Sequence, residues 1–592
     1  MSLIVQKFGG TSVANTEMIK SAARKAIRAT LEGHQVIMVV SAMGKTTDHL
    51  IALANELTDA PDSREMDMLM STGEQVSISL MAIAIQSLGY KAISMTGSQM
   101  GIRTDSSHMS ARIQSIETDR LRKALDSGNI IIAAGFQGVD EYSDITTLGR
   151  GGSDTTAVAL AAALGAAECE IYTDVDGVYT TDPRVLPEAR KVDYISYDEM
   201  LELASLGAGV MHSRSIEFAK KFGVTVHVRS SFSDTSGTLI SAEPESQDAD
   251  VCGAAIAKNE VRMTILGVPD KPGVATMLFA NLAESKIATD MIVQNIGTDG
   301  KTDISFTVPG SDLRTTKIVL QKAVTEIGAD GFEVDENVAK ISVVGLGMID
   351  RPGVAQKMFR AIAEKGINIQ MISTSEVKIS VLVPHESGIE ALRAVHETFH
   401  LHTLPKGFAD KTSTQITQAK KPISAAEMSS RLAAMEDIII DKINLDRTQS
   451  RITLPAVPDR AGLAAQVFER IAKDSILVDM IVQSAGRDDV TSISFTVPRN
   501  ELTRALAISS ELAKTFGSSE PVHNPKIAKL SVFGTGLRSH TGLAHRMFKT
   551  MFDAGINVNI INTSEMCVDI TVNDEDGEKG NKLLCSEFSN EM

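Results

Sequence analysis

Residues 3–13 read LIVQKFGGTSV, a β-branched run that stops at two glycines and passes into hydroxyl residues. Ile4, Val5 and Phe8 favour an extended chain. Gly9 and Gly10 allow a tight turn whose backbone N–H groups can approach a ligand, and Thr11 or Ser12 can cap the helix that the pattern predicts over Asn15–Glu32. A second apolar run, Gln35–Ser41, follows. Strand, glycine turn, helix, strand is the start of a parallel α/β sheet. Working outward, Ala92–Thr96, Ile130–Gly135, Glu170–Thr173 and Val224–Arg229 read as further strands, with helices at Thr72–Leu88, Ile113–Ser127, Thr155–Leu164 and Tyr197–Lys221. Residues 1–245 are expected to form one domain, a mainly parallel sheet between helices, followed by a polar connector at Ser241–Asp250.

The second half is a repeat. DMIVQNIGTDGKTDISFTVP begins at Asp290 and is echoed by DMIVQSAGRDDVTSISFTVP from Asp479. NIQMISTSEVKISVLV begins at Asn368 and is echoed, at the same spacing, by NVNIINTSEMCVDITV from Asn557. A shorter period lies inside each copy, where PDKPGVATMLFANLAESKI from Pro269 is matched by IDRPGVAQKMFRAIAEKGI from Ile349. Such periods decide architecture. Four units follow, at 260–334, 339–405, 438–523 and 528–592, with a linker at 406–437. In the first, Arg262–Val268 is a strand, Gly273–Ser285 a helix, Met291–Ile296 and Thr302–Val308 a hairpin, and Asp312–Ile327 a closing helix. That is the βαββαβ order of ferredoxin-like α+β modules. The adjacent units are expected to pair, first with second and third with fourth. Lys406–Arg431 is polar and mildly basic and reads as a solvated connector.

Composition bounds the function. At 592 residues, 43% apolar and 22% charged, the chain holds enough material for three to five globular domains. A net charge of −17 with no tryptophan disfavours nucleic acid and anionic membranes as partners. No apolar run reaches the roughly 18 residues of a membrane span. The strand at Leu3–Val5 leaves no room for a targeting segment. Cys169, Cys252, Cys567 and Cys585 have neither zinc spacing nor the density of a disulfide framework, which predicts reduced thiols and a cytoplasmic protein.

Three glycine-rich turns after strands can carry chemistry. In Lys7-Phe8-Gly9-Gly10-Thr11-Ser12, backbone donors, a helix start and a lysine make a phosphate cradle, with an ordinary strand-to-helix turn as the plain alternative. Gly149-Arg150-Gly151-Gly152-Ser153-Asp154 opens an alanine-rich helix; Arg150 suits a carboxylate or phosphate, and Asp154 could orient Lys7, help hold a metal, or only complement the helix dipole. Thr173–Arg184 is a long loop whose acids, Tyr179 and Arg184 could clasp a nucleotide or serve turn chemistry alone. Between them, Ser41–Thr47 follows a strand, and Ser71-Thr72-Gly73-Glu74 reads as a helix opening whose Glu74 could meet an ammonium.

With KFGGTSV at 7–13, SAMGKTTD at 41–48, STGE at 71–74, GFQG at 135–138, TTLGRGGSDTTA at 146–157 and TDVDGVYTTDPR at 173–184, the chain resembles the aspartate kinases across the whole first domain. The four modules resemble the ACT domains of those enzymes, here in a less common duplicated arrangement. The resemblance implies an amino-acid-kinase fold and ATP-dependent phosphorylation of the β-carboxylate of L-aspartate, the first step of lysine, threonine and methionine biosynthesis. By the resemblance, Lys7, Phe8, Gly9, Gly10, Thr173, Asp174, Tyr179 and Arg184 hold ATP. Lys7, Ser12 and Asp154 serve catalysis. Ser41, Thr47, Glu74, Arg150, Gly151, Gly152 and Ser153 hold aspartate, with Arg150 on the α-carboxylate and Glu74 on the α-amine. Mg²⁺ is expected to ride on the nucleotide phosphates, and no dedicated metal site is expected. Many family members carry a lysine where this chain has Gly209, so no site is placed in 207–213.

The ACT resemblance implies effector pockets for lysine, threonine or both. One set is Asp270, Gly273, Ala275, Asp290 and Gln294 with Asn368 and Ile369; the repeat gives Asp459, Gly462, Asp479, Gln483, Asn557 and Val558. The fourth unit departs, with Arg538-Ser539-His540-Thr541-Gly542 at the turn. A homodimer through the ACT domains is expected because such modules complete their sheets across chains. The alternative reading is an amino-acid sensor with little or no kinase activity.

Overall fold

The computed structural model describes residues 2–207, 210–269, 271, 273–294, 301–348, 351, 353–405, 407–408, 435–436, 438–484, 489–537 and 542–592. The first domain is built on an eight-stranded sheet in the order Tyr194–Ser196, Thr238–Ser241, Val226–Ser230, Glu168–Thr173, Leu3–Phe8, Gln35–Val40, Ile130–Ala134, Ala92–Met95. Neighbours run parallel except Val226–Ser230 against Thr238–Ser241. The helix Gly152–Leu164 is buried along its whole length; its run of alanines lets it lie close between the sheet and the helix Ser213–Phe222.

Three predicted helices change. The helix containing Ser71–Glu74 begins at Ser63, where Asp62 accepts from the backbone N–H of Arg64 at 3.0 Å and of Glu65 at 3.3 Å; the STGE stretch is mid-helix, not an opening. Gly73 is there because a Cβ would lie 2.8 Å from the Cβ of Ala42. Ile113–Ser127 divides into the strand Ile113–Ile116 and the helix Asp119–Asp126, its β-branched start pairing antiparallel with Ile102–Thr104. Tyr197–Lys221 divides into helices Tyr197–Ser205 and Ser213–Phe222.

At 25 residues the helix Ser63–Ser87 is also long and apolar enough to cross a membrane by length and composition, contrary to the expectation that no such run exists. Half of its most apolar stretch is buried inside the domain. There it carries Asp67, Ser71, Glu74 and Ser77 inward along with Met70, Ile78, Met81 and Ile85, so its composition serves helix–sheet packing.

The ACT units pair otherwise than adjacency suggests. Strands Gly253–Pro269 and Gly331–Val344 run through both the first and second units and join them in tandem. Their open edges are then Asp290–Gln294 and Met371–Thr374. The second unit's edge pairs with Ile481–Gln483 of the third, Ile372 opposite Gln483 and Ser373 opposite Val482. The first unit's edge lies against Ile560–Thr563 of the fourth. Helices follow suit: Phe359 of the second meets Phe468 of the third at 5.6 Å, and Phe279 of the first meets Phe548 of the fourth at 5.8 Å. Met291, Val293, Met371, Met480, Val482 and Ile560, drawn from all four units, form a common small core, in which unbranched methionines fill the irregular junction. Ile439–Asp446, expected as the start of the third unit, pairs instead with Ile527–Thr535 and belongs to the fourth unit's sheet.

The two halves are bolted together by a buried ion pair. Glu202 of the helix Tyr197–Ser205 meets Lys378 of the second unit at 2.9 Å and accepts from the backbone N–H of Glu565 of the fourth at 3.0 Å. Burial pushes the Glu202 carboxyl up against the opposing pull of Lys378.

A candidate active site at the strand ends

Register brings the turns together. Phe8 lies opposite both Val40 and Tyr172, Ala134 opposite Val40, and Ser230 opposite Thr173. Five parallel strands therefore end at one level, and their loops open on one face, where open α/β sheets bind ligands.

At the centre, Lys7 meets Asp154 at 2.6 Å with both side chains 12% exposed. One comes from the end of the central strand and the other from the first turn of the helix Gly152–Leu164. Asp154 fixes where the lysine charge stands. Gly10 has no room for a side chain: a Cβ would lie 2.8 Å from the carbonyl oxygen of Gly44 and 2.9 Å from that of Ala42. The turn after the first strand is thereby locked to the Ser41–Thr47 loop, helped by the Gly44 N–H donating to Gly10 at 3.0 Å. Ser12 is buried, and its hydroxyl is engaged by Ser231 at 2.5 Å; it ties two strand ends together. Phe8 turns its ring into the core, stacked 4.7 Å from Tyr172, so only its backbone faces the site.

On the acceptor side, Glu74 is 3% exposed. One carboxylate oxygen accepts from the Ala42 N–H at 3.0 Å, and the other is buried with no hydrogen-bond partner among the described residues. Burial pushes this carboxyl up to about 7. Ser41 donates to Ser153 at 3.0 Å, and Gly135 must be glycine because a Cβ would lie 2.6 Å from the Ser153 hydroxyl. Arg150 stands exposed between Gly149 and Gly151, whose φ angles of 77° and 69° favour glycine. Gly152 opens the next helix, and Thr47 is half-buried in the first turn of Thr46–Leu57.

The long loop contributes less uniformly. Thr173 donates to Asp174 at 3.2 Å, and Tyr179 is half-buried at a bridge to Lys191. Arg184 is exposed and paired with Asp182 at 2.8 Å, within reach of the charge of Asp174. Sequence reading missed Ser231 and Ser233, which binds Asp176 at 2.8 Å. The hydroxyl run Ser230-Ser231 directly after a strand was the available signal. Among the described residues, Glu168, Glu170 and His227 could gather a cation. Glu170 is already held by Arg229 at 2.6 Å and by Gln6 at 2.8 Å, and His227 by Glu168.

The effector residues regroup with the unit pairing. Asn368 donates to Asp459 at 2.8 Å, and Gln483 donates to the Ile369 carbonyl at 2.9 Å. Asn368 and Ile369 thus share a site with Asp459, Gly462 and Gln483 of the third unit, not with Gly273, Ala275 and Gln294 of the first. Those face the fourth unit, which holds Asn557 and Val558; Asp270 lies outside the described residues. A Cβ on Gly273 would strike Phe552. Asp290 and Asp479 already carry internal partners, Lys340 at 2.7 Å and Lys529 at 2.6 Å. Two cavities at these interfaces were not foreseen. One of about 200 Å³ between second and third units includes Gly353, Glu376, Gln449 and Asp479. One of about 70 Å³ between first and fourth includes Asp290, His545, Thr563 and Ser564.

The arrangement can hold an anion on glycine N–H groups and a fixed lysine, and an ammonium on a buried carboxylate beside it. The amino acid kinase family model matches residues 2–230, and the ACT domain model matches 341–399, 456–511 and 530–588. An aspartokinase of Bacillus sp. strain MGA3 is 50% identical over 402 residues, 68% of this chain and 98% of that protein. What that match leaves over is close in length to one copy of the repeat. The crystal structure of aspartate kinase from Synechocystis covers 99% of this chain and 98% of its own at 39% identity and a TM-score of 0.52. E. coli aspartokinase III is 26% identical over 67% of this chain and 99% of its own, with TM-scores of 0.57 for the R-state complex with aspartate and ADP and 0.53 for the T-state complex with lysine and aspartate. The chain belongs to the aspartate kinase family.

Proposed function

We propose that the protein transfers the γ-phosphoryl group of ATP to the β-carboxylate of L-aspartate, giving 4-phospho-L-aspartate. The observation that carries this reading is the buried Glu74 carboxylate, held on the Ala42 N–H beside Gly10 and with its second oxygen unpartnered among the described residues. The acceptor is ionised at neutral pH and needs no general base. The task is to bring two anions into line, so catalysis rests on positioning and charge neutralisation. Lys7, Gly9 and Gly10 take the transferring group, Ser12 and Asp154 hold them in place, and Thr173, Asp174 and Tyr179 take the nucleotide. Glu74 takes the α-ammonium and Arg150 the α-carboxylate, with Ser41, Thr47, Gly151, Gly152 and Ser153 closing around the acceptor. Asp154 and Asp174 are carboxylates suited to a hard cation shared with phosphate oxygens; Mg²⁺, when bound, supplies further neutralisation of the polyphosphate. Trapping with hydroxylamine tests the reaction: aspartate- and ATP-dependent hydroxamate is expected, and its absence from active preparations, with effector binding retained, would favour the sensor reading.

We also propose feedback control by lysine, threonine or both at the second–third and first–fourth unit interfaces, in a cytoplasmic homodimer. The lysine-bound T-state relative supports the first part. Asp459→Ala should raise the half-inhibiting effector concentration at least about tenfold by removing a charged contact; an unchanged inhibition curve places the effector elsewhere. Since each ACT pair closes within one chain, no second chain is needed to complete these sites, and mass by light scattering decides the dimer.

A further inference from the structure

The segment joining the second and third ACT units ends inside the catalytic domain. Met435 is 1% exposed and packs in that domain's core. Glu436, the next residue, is gripped by Arg214: Nε donates to one carboxylate oxygen at 2.8 Å and Nη2 to the other at 2.6 Å. The Ile113 N–H donates to the same carboxylate at 2.8 Å. Both side chains are largely buried. The rest of the Arg214 fork faces the acceptor turn, donating to the Leu148 carbonyl at 2.5 Å and to the Ala111 carbonyl at 2.7 Å. The Ala111 N–H in turn donates to the Thr147 carbonyl at 2.9 Å. The fork therefore ties Leu148, which leads into Gly149-Arg150-Gly151, to the Ala111 segment that lies beside it.

That turn is closed by the Gly152 N–H donating to the Gly149 carbonyl and the Thr155 N–H donating to the Gly151 carbonyl, both at 3.0 Å. Two of its three residues are glycines at positive φ, and Arg150 is exposed. Its geometry depends on anchors at its base, of which the Arg214–Leu148 contact is one. A guanidinium can serve two carbonyls and a carboxylate in one plane only if the plane is fixed, and a bidentate carboxylate fixes it.

We infer that Glu436 is a positioning residue for the acceptor turn: the end of the connector between the second and third ACT units reaches into the catalytic domain and, through Arg214, sets where Arg150 meets aspartate. The inference rests on the proposed aspartate site. It concerns the acceptor side alone, because Lys7, Gly9, Gly10 and the Thr173–Tyr179 loop take no contact from Arg214 or Glu436 in the hydrogen bonds and ion pairs described.

Steady-state kinetics on the full chain test it. Glu436→Gln keeps the shape and removes the charge; KM for aspartate should rise about tenfold while KM for ATP stays within about twofold. Arg214→Lys keeps the charge but cannot span the same partners, and should give the same acceptor-specific rise, which covers the case in which Glu436→Gln does not fold. In the Arg214→Met background, adding Glu436→Gln should change KM for aspartate no further. An unchanged KM for aspartate in either single variant, an equal rise in both KM values, a lower melting temperature with unaltered KM values, or multiplicative effects in the double variant would overturn the inference. Wild-type protein without aspartate-dependent ATP turnover would instead defeat the proposed function.

Discussion

Lys7→Ala is expected to lower kcat about a thousandfold, the scale seen when one preorganised charge partner of a transition state is removed. The lysine stands 2.6 Å from Asp154 at the end of the central strand. Its position is therefore set before substrate arrives, and its charge is present without reorganisation. The loss should fall on kcat more than on KM for aspartate, because Glu74 and Arg150 remain. Aspartate-dependent ADP release, measured at saturating ATP and aspartate, checks it; a kcat within about threefold of wild type would remove Lys7 from the chemistry.

Glu74→Gln should trade activity against stability. Truncating a buried charge partner costs about 2–5 kcal/mol, so kcat/KM for aspartate should fall roughly 10²–10³-fold, with KM for ATP little changed. In the wild type, only ionised Glu74 binds the ammonium. Because burial lifts its carboxyl to about 7, kcat/KM for aspartate should drop about tenfold per pH unit below that point, and the Gln variant should lose this limb. Stability moves the other way. The folded carboxyl is raised from 4.5 to about 7, so the unfolded chain ionises first. Stability is fully retained below about pH 4.5 and falls as pH rises to about 7. Glutamine escapes that loss, so the variant should match wild type near pH 4 and be more stable by about 3 kcal/mol at pH 8. Denaturant titrations at the two pH values read this directly, and equal stability differences at both would contradict the account.

Much of this is legible in the chain because local signals and tertiary structure agree. The run LIVQKFGG encodes both the central strand and the turn that carries Lys7, and glycine positions mark where loops must interlock, as Gly10 does against Ala42 and Gly44. Ser71-Thr72-Gly73-Glu74 reads as a helix opening and Glu74 as its first-turn acid. In the structure Gly73 is mid-helix to admit Ala42, a contact with a separate loop that local pattern cannot reveal. The repeat reveals four units but not their pairing. Nothing within one copy says that strands Gly253–Pro269 and Gly331–Val344 bind first and second units in tandem and leave outward edges for the other copy. Glu436 escapes for the same reason: it belongs to a polar connector, and its partner, Arg214, lies in the first domain, far away in sequence.

The most direct test is a crystal structure of the protein with aspartate and a non-hydrolysable ATP analogue. The α-ammonium should rest on the free Glu74 oxygen, the α-carboxylate on Arg150, and the terminal phosphate over the Gly9–Gly10 N–H groups with Lys7 against it. A triphosphate bound away from Gly9–Gly10, or aspartate seated without contact to Glu74, would contradict the account.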